Sequence, residues 1–97
     1  MLRIIDVNDS GKTRKLLTAI ADDPNAVIVC KRPDRIVDKC ISYRIPIVDA
    51  ISYHDYLAII KNDEVNPSPR RKVYIDELEE FIKVCCPNLQ GYTLSND

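Results

Sequence analysis

Short apolar runs alternate with segments of helical periodicity along this chain of 97 residues. The continuous apolar runs at 2–5 and 26–30 are typical of strands that are covered on both faces. The run at 45–50 predicts a short strand or extended segment, and 73–77 predicts a strand that ends in two acidic residues. A glycine introduces a last predicted strand at 92–96. The pattern therefore predicts about four or five strands.

Between the predicted strands, apolar residues recur at intervals of three and four, which places them on one face of a helix. Helices are predicted to begin after Gly11, near Pro33, after Ser52 and at Leu78. Proline suits the first turn of a helix, and Ser52 with Asp55 three residues later forms a pattern close to a capping box. The four apolar stripes are Leu16, Leu17, Ile20 and Ala21; Ile36, Val37, Cys40 and Ile41; Tyr53, Tyr56, Leu57 and Ile60; and Leu78, Phe81, Ile82 and Cys85.

The alternation of strands and helices implies parallel pairing through right-handed crossovers. We therefore predict a single α/β domain over 1–97, a three-layer sandwich with a mainly parallel sheet. Segment 61–72 has almost no apolar residues and two prolines, so it is predicted to be a mobile loop. Because ligands bind beyond the carboxyl ends of such strands, the polar residues that follow the strands are expected to meet there. The residues predicted to lie on neighbouring strands are Ile4, Ile28, Ile75 and Thr93.

Composition excludes some classes of function. The formal net charge is −1, so there is no global signature of a nucleic-acid or membrane protein. No apolar run approaches the ~20 residues that span a bilayer, and the first residues lack the features of a signal peptide. A cytoplasmic location is expected. The four cysteines lack the paired spacing of a zinc site and are expected to be buried, reduced thiols.

The segment "DVNDSGKT" at 6–13 matches the second half of the phosphate-loop pattern G-x-x-x-x-G-K-[ST], between a predicted strand and a predicted helix. Gly11 permits a curled backbone whose N–H groups face an anion. Lys12 supplies a positive charge for the β- and γ-phosphates, and the helix N-terminus adds its dipole. The Thr13 hydroxyl can ligate Mg²⁺. An ordinary polar start of a helix is the alternative interpretation.

The first half of the loop departs from the pattern. Asp6 stands where the first glycine is expected, and Asp9 adds a second carboxylate. Carboxylates close to a triphosphate repel it, which lowers the expected affinity. The backbone amides of Asp9 and Ser10 complete the predicted phosphate-binding loop.

A second motif follows the strand at 73–77, where "KVYIDELEEF" places Asp76 and Glu77 at the strand end. It resembles a Walker B element, although acids in the first turn of a helix are also favoured by the helix dipole. Together the two motifs resemble P-loop NTPases of the RecA-like, helicase-like and AAA+ division, and in particular short ATP-binding proteins of bacteriophages. The resemblance implies that Thr13 and Asp76 hold Mg²⁺ within bridging reach of each other, and that Glu77 orients the attacking water. It also implies a γ-phosphate sensor at Asn96, with Ser95 as the second choice.

The resemblance further implies an ATP-binding protein with Mg²⁺, acting as a weak ATPase with replication or packaging machinery, in the host cytoplasm if the chain is viral. The alternative is a degenerate P-loop fold that no longer turns over nucleotide and binds a protein partner or a second copy. Asp6 and the absence of the family's further strand and arginine-finger domain favour that alternative. The basic run at 70–72 could act as a finger in trans, or contact nucleic acid, although the near-neutral net charge argues against strong nucleic-acid binding.

Overall fold

The computed structural model describes residues 2–5, 11–62 and 71–95, which form a small α/β domain. These residues contain four helices and a three-stranded sheet. Each helix begins where the sequence predicts one. The elements are α1 (Lys12–Ile20), β1 (Ala26–Cys30), α2 (Pro33–Tyr43), β2 (Asp49–Ser52), α3 (Tyr53–Lys61), β3 (Lys72–Ile75) and α4 (Leu78–Cys85).

The sheet has the order β2–β1–β3, and both pairings are parallel. Val29 of β1 lies opposite Ile51 of β2 on one side and opposite Ile75 of β3 on the other. Because β2 and β3 lie on opposite sides of β1, right-handed connections place α2 and α3 on opposite faces of the sheet. The predicted α/β class and parallel pairing are confirmed.

The main core lies between the sheet and the pair α1 and α2. Alternate residues of β1 face these helices, since successive side chains of a strand point to opposite faces. Leu17 of α1 and Ile36 of α2 are fully or almost fully buried in this cluster. Burial of each such side chain contributes roughly 1.5–3 kcal/mol. The members of the cluster are Leu17, Ile20, Ala26, Ile28, Cys30, Ile36, Cys40 and Val48.

The four cysteines are all free thiols, as predicted, but they are not all buried. Cys30 and Cys40 belong to the core, where they pack as small apolar residues. Cys85 and Cys86 are exposed, because they lie at the end of α4, which buries no residue completely. The prediction of buried thiols is therefore wrong for this second pair.

The predicted strands at the two ends of the chain are not strands in the described residues. Segments 2–5 and 91–95 have no regular secondary structure, so the predicted count of four or five strands is too high for the part of the chain described. Placing Ile4 and Thr93 on strands is likewise wrong. Ile5 is 80% exposed, so these segments bury little apolar surface that could hold a ladder. The Arg3 guanidinium donates to the Ser95 carbonyl at 3.1 Å, which brings the two segments together.

The second strand lies later than predicted, at Asp49–Ser52 rather than 45–50. The chain leaves α2 through Arg44, whose backbone is left-handed, and the amide of Ile45 donates to the Cys40 carbonyl at 3.1 Å. Ile45 therefore still belongs to the helix end. Pro46 follows, and proline has no N–H to donate to a ladder. Pairing with β1 begins at Asp49.

The predicted loop at 61–72 is shorter than expected. Lys61 is the last residue of α3 and Lys72 is the first residue of β3, while 63–70 lie outside the described residues. Arg71 is anchored at the amino ends of the strands. Its guanidinium donates to the Ala26 carbonyl at 3.0 Å and forms an ion pair with Asp49 at 2.6 Å.

Candidate functional site

Four side chains from two distant parts of the chain meet at the carboxyl end of β3. The Thr13 hydroxyl donates to the Asp76 carboxylate, with distances of 3.0 Å to Oδ1 and 3.1 Å to Oδ2. The Lys12 ammonium lies 3.3 Å from Oε1 of Glu77. We call Lys12, Thr13, Asp76 and Glu77 the carboxyl-edge site. The predicted proximity of Thr13 and Asp76 is thus found in the structure.

Gly11 sets the direction in which α1 starts. Its φ of 83° and ψ of 24° lie in the left-handed region, which glycine adopts without steric cost. A Cβ atom added there would meet no heavy atom within 4 Å, so the backbone conformation, and not a lack of space, favours glycine. The Gly11 carbonyl accepts the amide of Lys15 at 3.0 Å, and the helix begins at Lys12. The predicted loop residues Asp6, Asp9 and Ser10 lie outside the described residues.

The end of β3 sets the position of the two acids. The amide of Asp76 donates to the Val29 carbonyl at 2.9 Å, which carries the pairing with β1 one residue beyond the strand. Glu77 then adopts a φ of 58° and a ψ of 69°, a left-handed conformation that is uncommon for a residue with a long side chain. The turn at 76–77 leads directly into α4.

Tyr53 holds this turn from the other side. Its hydroxyl lies 2.6 Å from the Asp76 carbonyl and 3.3 Å from the Glu77 carbonyl, and the residue is only 4% exposed. Sequence reasoning placed Tyr53 in the apolar stripe of a helix and missed this contact. No local signal could have revealed it, because a tyrosine at a helix start has the same spacing whether or not its hydroxyl reaches a distant carbonyl.

The charges around Asp76 partly compensate for its burial. Burial raises the pKa of Asp76, the hydrogen bond from Thr13 lowers it, and the charge of Glu77 raises it again. The positive charges of Lys39 and Lys12 act in the opposite direction. The charge of Lys39, a residue of α2, thus acts on Asp76, although the sequence offers no reason to assign Lys39 to the site. The net result is a carboxylate whose ionised form is disfavoured, and a bound cation would stabilise that form.

The oxygen atoms of Thr13 and Asp76 fit a small, hard cation. Mg²⁺ binds oxygen at about 2.0–2.1 Å in octahedral geometry, so two ligands on adjacent corners lie roughly 2.9 Å apart. The observed separations of 3.0 and 3.1 Å are those of a hydrogen bond, and they would also let both oxygens reach one such ion. The described residues contain no cluster of three or more His, Cys, Asp and Glu that could hold a metal by itself.

Of the two sensor candidates, the structure describes Ser95 alone. Asn96 lies outside the described residues. Ser95 accepts the Arg3 guanidinium through its backbone carbonyl, a contact that involves neither Lys12, Thr13, Asp76 nor Glu77.

An open cleft lies at the opposite end of the strands. It is lined by the turn after α1 and by the segment before β2, including Asp23 and Asp49. These two acids already pair with basic residues at the start of β3: Asp23 with Lys72 at 3.0 Å, and Asp49 with Arg71. We therefore interpret this end as a structural tie between the strand starts.

Comparisons with known proteins give no further assignment. No family model, curated protein or solved structure matches the chain. Within the described residues, no helix has the length and apolar character needed to cross a membrane. The case for a function therefore depends on the geometry of the carboxyl-edge site.

Proposed function

We propose that this chain binds a nucleoside triphosphate together with Mg²⁺, with ATP as the expected nucleotide, in a minimal P-loop-type core. The observation that carries the proposal is the contact of the Thr13 hydroxyl with the Asp76 carboxylate, at 3.0 and 3.1 Å across 63 positions of sequence. A hydroxyl at a helix start and an acid at the end of a neighbouring parallel strand are the two metal ligands that phosphate-loop enzymes use.

Lys12 and Glu77 have complementary tasks in this proposal. The Glu77 side chain is 43% exposed, so its carboxylate can turn towards solvent when a ligand approaches the Lys12 ammonium. A phosphate group would compete with Glu77 for the ammonium, because charge-assisted hydrogen bonds to phosphate are strong. Once released, the Glu77 carboxylate could accept a proton from, or orient, a water molecule. Bound Mg²⁺ supplies charge neutralisation for the phosphates.

Hydrolysis is expected to be slow in an isolated subunit. A positively charged finger contributes ~10³–10⁵ in rate in related chemistry. Arg71 is tied to Asp49 and the Ala26 carbonyl at the amino ends of the strands, away from Asp76 within the same subunit. Action of Arg71 on a phosphate would thus require a second copy and the loss of this tie.

Calorimetric titration with MgATP tests the proposal. Wild type should bind, and Lys12→Ala should abolish binding, because the variant lacks the charge that faces the phosphates. Lys61→Ala is a matched control, since it removes an exposed lysine at the end of α3. It should leave the affinity unchanged. Bound ATP should also raise stability by about 2.7 kcal/mol at 100 times its Kd. Equal affinity of wild type and Lys12→Ala would refute the site.

A non-catalytic interaction module is the second candidate function. It is favoured by α4, which buries no residue completely. It is also favoured by two half-exposed apolar side chains, Leu78 at the start of α4 and Ile60 on α3. The same titration separates the two candidates. A wild-type protein that binds no MgATP at millimolar concentration would favour the interaction module.

A further inference from the structure

We propose that Tyr53 is a positioning residue whose hydroxyl holds the 76–77 turn in the conformation that presents both carboxylates to α1. This inference rests on the proposed function, because positioning matters only if the carboxyl-edge site binds a ligand.

The need for such a residue follows from strand geometry. Successive side chains of a strand point to opposite faces, so two adjacent acids on a continuing strand would point away from each other. Here Asp76 faces Thr13 and Glu77 faces Lys12, two adjacent residues at the start of one helix. The left-handed conformation of Glu77 breaks the alternation. Such a conformation persists only when its surroundings hold it in place.

Tyr53 supplies that restraint from a rigid position. The residue follows directly on β2 and starts α3, whose N-cap Ser52 accepts the amide of Asp55 at 3.1 Å. The ring meets Phe81 edge to face at 5.4 Å, which fixes its orientation. The hydroxyl must be the donor in its contacts with the 76–77 turn, because both atoms within reach are carbonyl oxygens, which can only accept.

The Tyr53 hydroxyl contacts the backbone of the 76–77 turn and leaves its carboxylates available for a ligand. The hydroxyl is bonded to the backbone carbonyls of Asp76 and Glu77 and leaves their carboxylates to Thr13 and Lys12. Removal of the hydroxyl should therefore disturb the direction of the carboxylates without removing a ligand. Partners that orient metal ligands typically contribute 10–100-fold to metal affinity. The phosphate contact of Lys12 does not depend on this turn to the same degree.

The experiment compares ATP affinity in Mg²⁺ with ATP affinity in EDTA for three proteins. Tyr53→Phe keeps the ring and its packing on Phe81 and removes the hydroxyl. Tyr56→Phe is the matched control. It lies one turn later on α3 and packs on the same Phe81 ring at 6.0 Å, and its hydroxyl has no hydrogen bond to the described residues. Thermal unfolding of all three proteins verifies that each is folded.

We expect Tyr53→Phe to bind ATP ~10–100-fold more weakly than wild type in Mg²⁺, and less than about 2-fold more weakly in EDTA. Tyr56→Phe should match wild type in both buffers. If Tyr53→Phe lost the same factor of ATP affinity in both buffers, its role would be merely structural and the inference would be overturned. The inference would also be overturned if Tyr53→Phe bound ATP in Mg²⁺ as tightly as wild type. In either case the proposed function would stand. Failure of wild type itself to bind MgATP would overturn both proposals.

Discussion

At the scale of single residues, Glu77 combines an unfavourable backbone with a useful side chain. A left-handed conformation costs roughly 1–2 kcal/mol for a residue with a Cβ atom, whereas glycine adopts it freely. The chain nevertheless has a glutamate there, with φ at 58° and its carboxylate 3.3 Å from the Lys12 ammonium. Residues in costly conformations are concentrated at functional sites, where the surrounding structure compensates for them.

This leads to a prediction that separates backbone from side chain. Glu77→Gly and Glu77→Ala both remove the carboxylate and its ion pair with Lys12. Only glycine also relieves the left-handed conformation, so Glu77→Gly should be more stable than Glu77→Ala by about 1 kcal/mol. Urea unfolding of the two variants measures the difference. An alanine variant as stable as the glycine variant would show that the turn relaxes when the side chain is removed.

Asp76 should give the protein a characteristic dependence on pH. Burial raises the pKa of Asp76 above its ordinary value of 3.8, so the folded protein binds this proton more tightly than the unfolded chain. The contribution of Asp76 to the free energy of unfolding must then decrease as pH rises from 3.8 towards the higher pKa of the folded state. Asp76→Asn removes that loss. The stability of the variant relative to wild type should therefore increase with pH over this range and then remain constant.

The matched control for this titration is Asp34→Asn. The hydrogen bond from Arg32 lowers the pKa of Asp34, so its contribution has the opposite sign and is lost as pH falls. Urea unfolding at a series of pH values from about 2 to about 7, a range that extends to both sides of the ordinary aspartate pKa of 3.8, compares the two variants with wild type. A stability difference for Asp76→Asn that is independent of pH would contradict the expected shift.

At the scale of elements, local signals fixed the helices more firmly than the strands. The cap at Ser52, the proline at the start of α2 and the left-handed Gly11 act within one turn, and all three helices begin where these residues predict. The second strand begins at Asp49, later than predicted, and segments 2–5 and 91–95 did not pair. A strand depends on a partner that is distant in sequence, which local periodicity does not specify.

Ser52 allows the strength of such a local signal to be measured. Its hydroxyl accepts the amide of Asp55 at 3.1 Å at the start of α3. Replacement of an N-cap serine by alanine typically costs about 1 kcal/mol. Ser52→Ala should lower the free energy of unfolding by that amount, measured by urea unfolding. Ser42→Ala, at an exposed position inside α2, is the control and should change stability little. Equal effects of the two substitutions would show that the cap contributes nothing.

At the scale of the whole molecule, a small core supports both stability and the site. Leu17 is 0% exposed and joins α1 to the sheet, one turn after Lys12 and Thr13. Leu17→Ala should therefore lower the free energy of unfolding by about 2–5 kcal/mol, from lost burial and from the cavity. This is a large share of the ~5–15 kcal/mol of a typical domain. Thermal unfolding should show a much lower midpoint.

Ile41→Ala is the control for this core substitution. Ile41 lies on α2 but is 63% exposed, so the same kind of truncation removes little buried surface. Its effect should stay within roughly 0.5 kcal/mol. A comparable loss of stability in both variants would mean that the exposed face of α2 is covered in solution, for example by a second copy.

The α/β class, the alternation of the elements from α1 to α4 and the starts of the helices could be predicted from the sequence alone. Those properties follow from apolar periodicity, caps, glycine and proline, which act over a few residues. Through its resemblance to P-loop proteins, the sequence also predicted that Thr13 and Asp76 would lie close together. Tertiary structure decided how many strands pair in the described residues, since a ladder requires a distant partner. It also decided the left-handed turn at Glu77 and the contact of the Tyr53 hydroxyl with that turn, because both depend on the packing of α3 against the sheet.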